Sequence, residues 1–268
     1  MAAENSPKKP NKYSLVIERI FLNHYSAGIT EFKFHRTEVE KVASKFNIKN
    51  LGDILYSFRY RTHLPARLRA AAGKGMTWRI VPAGKATYAF LQVPDQTIVP
   101  NKNLAETKVP DATPGIISKY ALTDEQALLA KVRYNRLIDI FTGVACYSLQ
   151  SHLRTFVSDM GQTETDEVYV GIDKRGEQYV FPVQAKGGRD RLDSVQILQD
   201  FGMCRTKFPS LTCRAIGTQF TKENLIVLFE FEKKGKEVNI VSERHYRLVH
   251  PDEISDEELA NYRIRSSE

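Results

Sequence analysis

The chain has 268 residues, 42% of them hydrophobic and 26% charged, with a formal net charge of +7, enough sequence for one large domain or two ordinary ones. No run approaches the roughly 18 apolar residues of a membrane helix, and the first residues lack the apolar core of a signal peptide, so no membrane partner is expected. Three cysteines, Cys146, Cys204 and Cys213, stand at unrelated spacings with no C-x-x-C pair, which argues against zinc or a disulfide framework and suits a reducing cytoplasm.

Residues 1–12 predict a disordered tail. From Tyr13, YSLVIERIFLNHY has helical apolar spacing, and GITEFKF reads as extended. In HRTEVEKVASKFN, Thr37 with Glu40 three residues on has capping-box spacing and predicts a second helix. Asn50 is placed to cap a third, LGDILYSFRYRTHL, which Pro65 should end or bend. MTWRIV and ATYAFL, joined by PAGK, read as a hairpin. Three helices and then a hairpin, over residues 13–92, is the order of a winged helix-turn-helix. Its third helix would read the major groove of double-stranded DNA through Ser57, Arg59, Arg61 and Thr62, while Lys74, Arg79 and Lys85 of the wing would meet phosphates.

The charge distribution agrees. Residues 1–95 hold 16 Lys and Arg against 7 Asp and Glu, a balance of +9, whereas the remainder holds 23 against 25, a balance of −2. A segregated positive domain points to a polyanion partner; a basic surface serving only solubility would show the same balance.

Residues 93–120 carry four prolines between Val93 and Gly115 and no periodicity, and predict a linker. A second, α/β domain is expected over residues 121–250. It opens with a long helical run from about Thr123 to Val157 that Gly143 could divide. TETDEVYVGID, a turn KRGE and QYVFPVQAK follow as two strands. DRLDSVQILQDFGMC predicts a helix with Leu192, Val195 and Leu198 inward. LTCRAIGTQF, LIVLFEFE and VNIVSERHYRLV read as strands, the last two paired around KKGK. Residues 251–268 predict a C-terminal tail.

The two strands flanking KRGE should form an antiparallel hairpin in which opposed residue numbers sum to about 350–352. Asp166 then lies opposite Gln184 to Lys186, and strand alternation places Gln184 and Lys186 on one face. A carboxylate, an amide oxygen and an ammonium thus meet at one hairpin end. Hard oxygens suit Mg²⁺, with Mn²⁺ a possible substitute, and a lysine can steady a water or a phosphate. Gly187-Gly188 would turn the backbone away and leave room for a large substrate. A cross-strand salt bridge at a sheet edge would use the same residues.

This pattern, Glu164-Thr-Asp166 followed by Gln184-Ala-Lys186 between two helical segments, resembles the PD-(D/E)XK nucleases over roughly residues 120–235. The resemblance implies a restriction-endonuclease-like core with a central mixed sheet, and Mg²⁺-dependent hydrolysis of DNA phosphodiesters. It would make Asp166, Gln184 and the Ala185 carbonyl metal ligands, Lys186 the residue serving the attacking water, and Glu164 or Asp139 a further acidic candidate. Gln stands where Glu is commoner, and a first strand ahead of Asp166 is not visible between Val157 and Glu164. A type II restriction enzyme acting as a homodimer is the leading expectation. A DNA-binding regulator or adaptor with an inactive nuclease fold and a structure-selective junction nuclease remain open.

Overall fold

A computed structural model describes residues 11–48, 50–96, 98–120, 125–157, 160–187, 190–221, 225–235 and 237–265, without the side chains of residues 60 and 61. The chain forms two compact units: Met1–Asp95 with Phe156–Gln162, and Gln96–Thr155 with Thr163–Glu268.

In the first unit, Asn11 caps α1 (Lys12–His24), so Lys12 belongs to a helix rather than to the expected tail, whose residues 1–10 lie outside the described residues. β1 (Glu31–His35) leads into α2 (Arg36–Ala43). The spacing predicts Thr37 with Glu40 as the cap, but His35 and Glu38 form the capping box, two residues earlier, because β1 runs straight into the helix. Asn50 caps α3 (Leu51–Tyr56) as expected. The long third helix is shorter than predicted. Ser57–Arg61 is a π-helical turn, closed where Thr62 donates both its N–H and its hydroxyl to the Ser57 carbonyl. Beyond Pro65 comes the short α4 (Ala66–Ala70).

β2 (Met76–Pro82) and β3 (Thr87–Pro94) form the predicted hairpin, and β1 pairs antiparallel with β3, giving the sheet order β1-β3-β2. Trp78, Phe21, Phe34 and Phe90 are fully buried, and Phe21 meets Trp78 edge-on at 5.2 Å. Burying such rings is worth about 2–3 kcal/mol each, which is what holds short helices that could not persist alone.

The second unit begins inside the predicted linker. β4 (Glu106–Pro110) pairs parallel with a distant strand, and α5 (Gly115–Tyr120) follows. Five residues are too few to show a period, so only the pairing reveals the strand. The predicted long helix is also corrected: it resolves into α6 (Glu125–Tyr134), α7 (Leu137–Thr142) and β5 (Ala145–Val157). Gly143, at φ 68°, ends α7 in the left-handed conformation that glycine adopts without strain. Leu149, Leu153 and Phe156 fall by chance at helical spacing and mask the alternation of Tyr147, Leu149 and Leu153 with Ser148, Gln150, His152 and Arg154 on a strand that is mostly exposed.

β6 (Gly161–Ile172) and β7 (Gln178–Lys186) are the predicted hairpin, and α8 (Ser194–Lys207) follows. β8 (Thr212–Cys213), β9 (Ala215–Phe220), β10 (Leu225–Lys234) and β11 (Glu237–Val249) complete the sheet. Among the described residues it is eight-stranded, ordered β4-β11-β10-β9-β7-β6-β5 with β8 beside β7. β7 and β9 are parallel, joined through α8, and the other β7 and β9 neighbours on the main path are antiparallel. The expected C-terminal tail instead carries α9 (Asp256–Ile264), capped by Ser255 and tied to β4 where Tyr262 Oη accepts from the Lys108 N–H.

Both sheet faces are covered. α6 and α7 bury Leu128, Val132 and Leu137 with Phe181, Val183 and Ile216, while Ile197 of α8 packs with Ala215, Val227 and Phe229. Adjacent Ala215 and Ile216 serve opposite faces, as alternation requires. Gly217 lets α8's approach close on the sheet: a Cβ there would come within 2.6 Å of Leu192.

The fold class expected from sequence therefore holds at the level of a mixed α/β chain with a large mixed sheet flanked by helices. Among the described residues no helix is long and apolar enough to cross a membrane.

Candidate functional site

The β6–β7 ladder runs regularly from Ile172↔Gln178 to Glu167↔Val183, a constant sum of 350, within the predicted register. It then breaks. Glu167 points toward α6, where its carboxylate pairs with Arg133 at 2.7 Å. Thr165, two residues earlier, donates instead to Asp200 on α8 at 2.5 Å. Residues two apart on a regular strand share a face, so β6 changes phase at Asp166.

That irregularity corrects the expected simple alternation. Asp166 leaves the ladder and uses its own carboxylate in place of a backbone partner: Oδ2 accepts from the Ala185 N–H at 2.8 Å. Burial raises the Asp166 pKa above the ordinary aspartate value, against the opposing pull of the Lys186 charge, the Ala185 N–H and His152. Lys186 ends β7, half-buried, in register with Gln219 of β9. Asp166 and the Gln184–Ala185–Lys186 triplet are therefore gathered at one end of the hairpin.

Gln184 is buried and faces α8. Its Nε2 donates to both Asp200 oxygens, at 3.1 and 3.0 Å, and to the Glu164 carbonyl at 3.1 Å. With the amide nitrogen committed, Oε1 is left buried with no hydrogen-bond partner. An orphaned buried acceptor costs about 1–3 kcal/mol and calls for an explanation, a bound ion or water among them. Glu164 sends its carboxylate away from the triplet, to Arg154 at 3.1 Å and His152 at 3.7 Å on β5. Asp139 lies elsewhere, paired with Arg136 and accepting from the Cys146 N–H.

Asp200 is the residue that sequence reasoning missed. It is 1% exposed, and burial pushes its pKa up to about 7, although Thr165 and Gln184 pull it down. The signal lay in the phase of α8. Leu192 is buried ahead of the helix, but Val195 and Leu198 are only half-buried, and the inward face is Ile197, Asp200, Met203 and Cys204. A carboxylate between apolar residues at spacings of three and four marks a buried and bonded group. His152, at φ 49°, is a second omission; it opposes the rise in the Asp166 pKa.

The residues expected to read DNA are distributed over the first unit. Ser57 and Arg59 lie in the π-helical turn, and the Arg59 guanidinium sits 6.0 Å from the Tyr88 ring centroid. Thr62 is exposed just beyond the turn, while the Arg61 side chain lies outside the described residues. Lys85 is exposed in the β2–β3 turn, and Lys74 is exposed just before β2, at the other end of the hairpin. Arg79, half-buried on β2, donates to the Thr77 hydroxyl at 3.2 Å.

No group of three or more His, Cys, Asp or Glu side chains among the described residues is arranged to hold a metal ion. The oxygens at the hairpin end come from the Asp166 carboxylate, the Gln184 amide held by Asp200, and backbone carbonyls. No protein family, curated protein or solved structure gives a significant match to the chain.

Proposed function

We propose that the chain is a Mg²⁺-dependent DNA endonuclease with a PD-(D/E)XK-type core in the second unit and a winged-helix DNA-binding domain in the first. The observation that carries this reading is the hairpin end. There Asp166 accepts from the Ala185 N–H, and Gln184, whose Nε2 donates to Asp200, has a buried Oε1 with no partner. The residues fit a hard divalent cation: Asp166, Gln184 Oε1 and the Ala185 carbonyl would hold it, with waters filling the remaining positions. Such a cation, when bound, lowers the pKa of its water and stabilises charge on the phosphate.

The residues themselves supply the rest. Asp200 and the Glu164 carbonyl fix the Gln184 amide so that its oxygen, not its nitrogen, is the free end. Lys186, at the end of β7, would orient the attacking water and steady the phosphate oxygens. α6 and α7 before the hairpin and α8 after it support the resemblance, and β5 supplies a strand ahead of β6 where the sequence shows none. In the first unit, the order helix, strand, two helices, a short turn of helix and a hairpin, with sheet order β1-β3-β2, supports the winged-helix reading. The balance of +9 over residues 1–95 supports phosphate contact by Lys74, Arg79 and Lys85. Ser57, Arg59, Arg61 and Thr62 are the proposed base readers. A homodimer would place two such sites across the two strands, as a type II restriction enzyme needs.

A second reading is favoured by one observation. Glu164 is paired with Arg154 and Asp200 is taken up by Thr165 and Gln184, which leaves Asp166 the single carboxylate offered to a metal and suits a DNA-binding protein that does not cut. Incubating plasmid and phage DNA with the protein in Mg²⁺, in EDTA and with Lys186→Ala separates the two. Discrete metal-dependent fragments lost in the variant are expected; intact DNA shifted equally by both proteins favours the second reading.

A further inference from the structure

Cys204 and Cys213 are two thiols that the proposed chemistry does not use. Cys204 is buried in the C-terminal part of α8, one turn beyond Asp200, and Cys213 is half-buried in β8. α8 packs against β8, with Cα–Cα separations within 8 Å. Both cysteines line one open cleft of about 390 Å³, with Arg205 and Lys233 in the same wall and Phe208 and Pro209 beside them. The neighbouring Cys213 thiol, followed by burial, pushes the Cys204 thiol above the ordinary range, which makes Cys204 a slow nucleophile. The third cysteine, Cys146, belongs to the core under α7, where burial raises its thiol to about 11.

We propose that Cys204 and Cys213 form a redox-active dithiol, and that the cleft admits a small anionic disulfide that oxidises them to an intramolecular disulfide. The two cations in the wall select an acidic reactant, and the open cleft brings it to the more exposed sulfur. Cys213 attacks one sulfur of the small disulfide. A Cys213–small-thiol bond forms, the small S–S bond breaks, and the departing thiolate takes up the Cys213 proton. Cys204 then attacks the Cys213 sulfur; the protein S–S bond forms and the second small thiol leaves with the Cys204 proton. The dithiol loses two electrons and the small disulfide is reduced to two thiols.

The product would tie the last turns of α8 to β8, which pairs with Tyr179 and Val180 of β7. The order of attack follows from exposure: a reactant in the cleft reaches Cys213 before the buried Cys204.

The test uses the full chain and oxidised glutathione as the probe. Native protein is incubated with it, quenched with an alkylating agent and digested, and free thiols are counted by mass. The expected result is loss of two of the three thiols, a Cys204–Cys213 linked peptide and an intact Cys146. Cys204→Ser should accumulate a glutathione adduct on Cys213, and Cys213→Ser should take up almost none. Retention of all three thiols in native wild type, or a link through Cys146, would overturn the proposal without reference to either variant. An adduct on Cys204 in Cys213→Ser equal to that on Cys213 in Cys204→Ser would overturn the order of attack.

Discussion

Replacing Asp200 by asparagine should make the protein more stable at alkaline pH and change the slope of stability against pH. In the folded chain, burial raises this carboxyl from 3.8 to about 7, so the native state holds its proton over a range where the unfolded chain has released it. The stabilisation from that proton is fully present below the unfolded value and is lost as pH rises through the folded one. At about 1.4 kcal/mol per pKa unit, the group removes about 3 kcal/mol between pH 5 and pH 8. The asparagine side chain of the variant does not titrate. It also gives up one acceptor for Thr165 or Gln184, a loss of about 1 kcal/mol that does not vary with pH. The variant should therefore start level with or below wild type at pH 5 and exceed it at pH 8.5. Urea unfolding curves in EDTA, at half-unit pH steps, measure the gap between the two proteins. A gap that stays constant with pH would refute the burial and the bonding described for Asp200.

Removing the Arg133 guanidinium with alanine strands the fully buried Glu167 carboxylate and should cost about 3–5 kcal/mol; adding Glu167→Gln should recover much of it in denaturation experiments. Trp78→Ala should cost the first unit about 3–5 kcal/mol, read by unfolding, because Trp78 is fully buried against Phe21. Lys186→Ala should lower cleavage by roughly a hundredfold or more while leaving the urea midpoint almost unchanged, since the side chain is only half-buried. Lys85→Ala, at an exposed turn, should weaken binding to all duplex sequences alike and reduce the slope of log affinity against log salt by about one, measured by titration at several salt concentrations.

The parts of the fold legible in the sequence are those where one local signal decides the outcome. The β6–β7 hairpin showed itself through the apolar runs VYVGI and YVFPV around a short polar turn, and its register followed from loop length. β4 and β5 did not, for opposite reasons. β4 is too short to show a period and exists through its pairing with β11. β5 is an edge strand whose exposed side chains imitate helical spacing, and only the break at Gly143 separates it from α7. Asp166 and the triplet after it were visible as a pattern, but the phase change that turns Asp166 onto the Ala185 N–H depends on Thr165 reaching Asp200, 35 residues away in the chain. No local reading includes such a contact.

The central claim, that the ends of β6 and β7 form a site for a divalent cation, is tested most directly by Mn²⁺ titration followed by electron paramagnetic resonance, on wild type and on Asp166→Ala. The account predicts saturable binding by wild type that Mg²⁺ displaces and that the variant loses. Absence of binding by folded wild type, or equal binding by the variant, would contradict it.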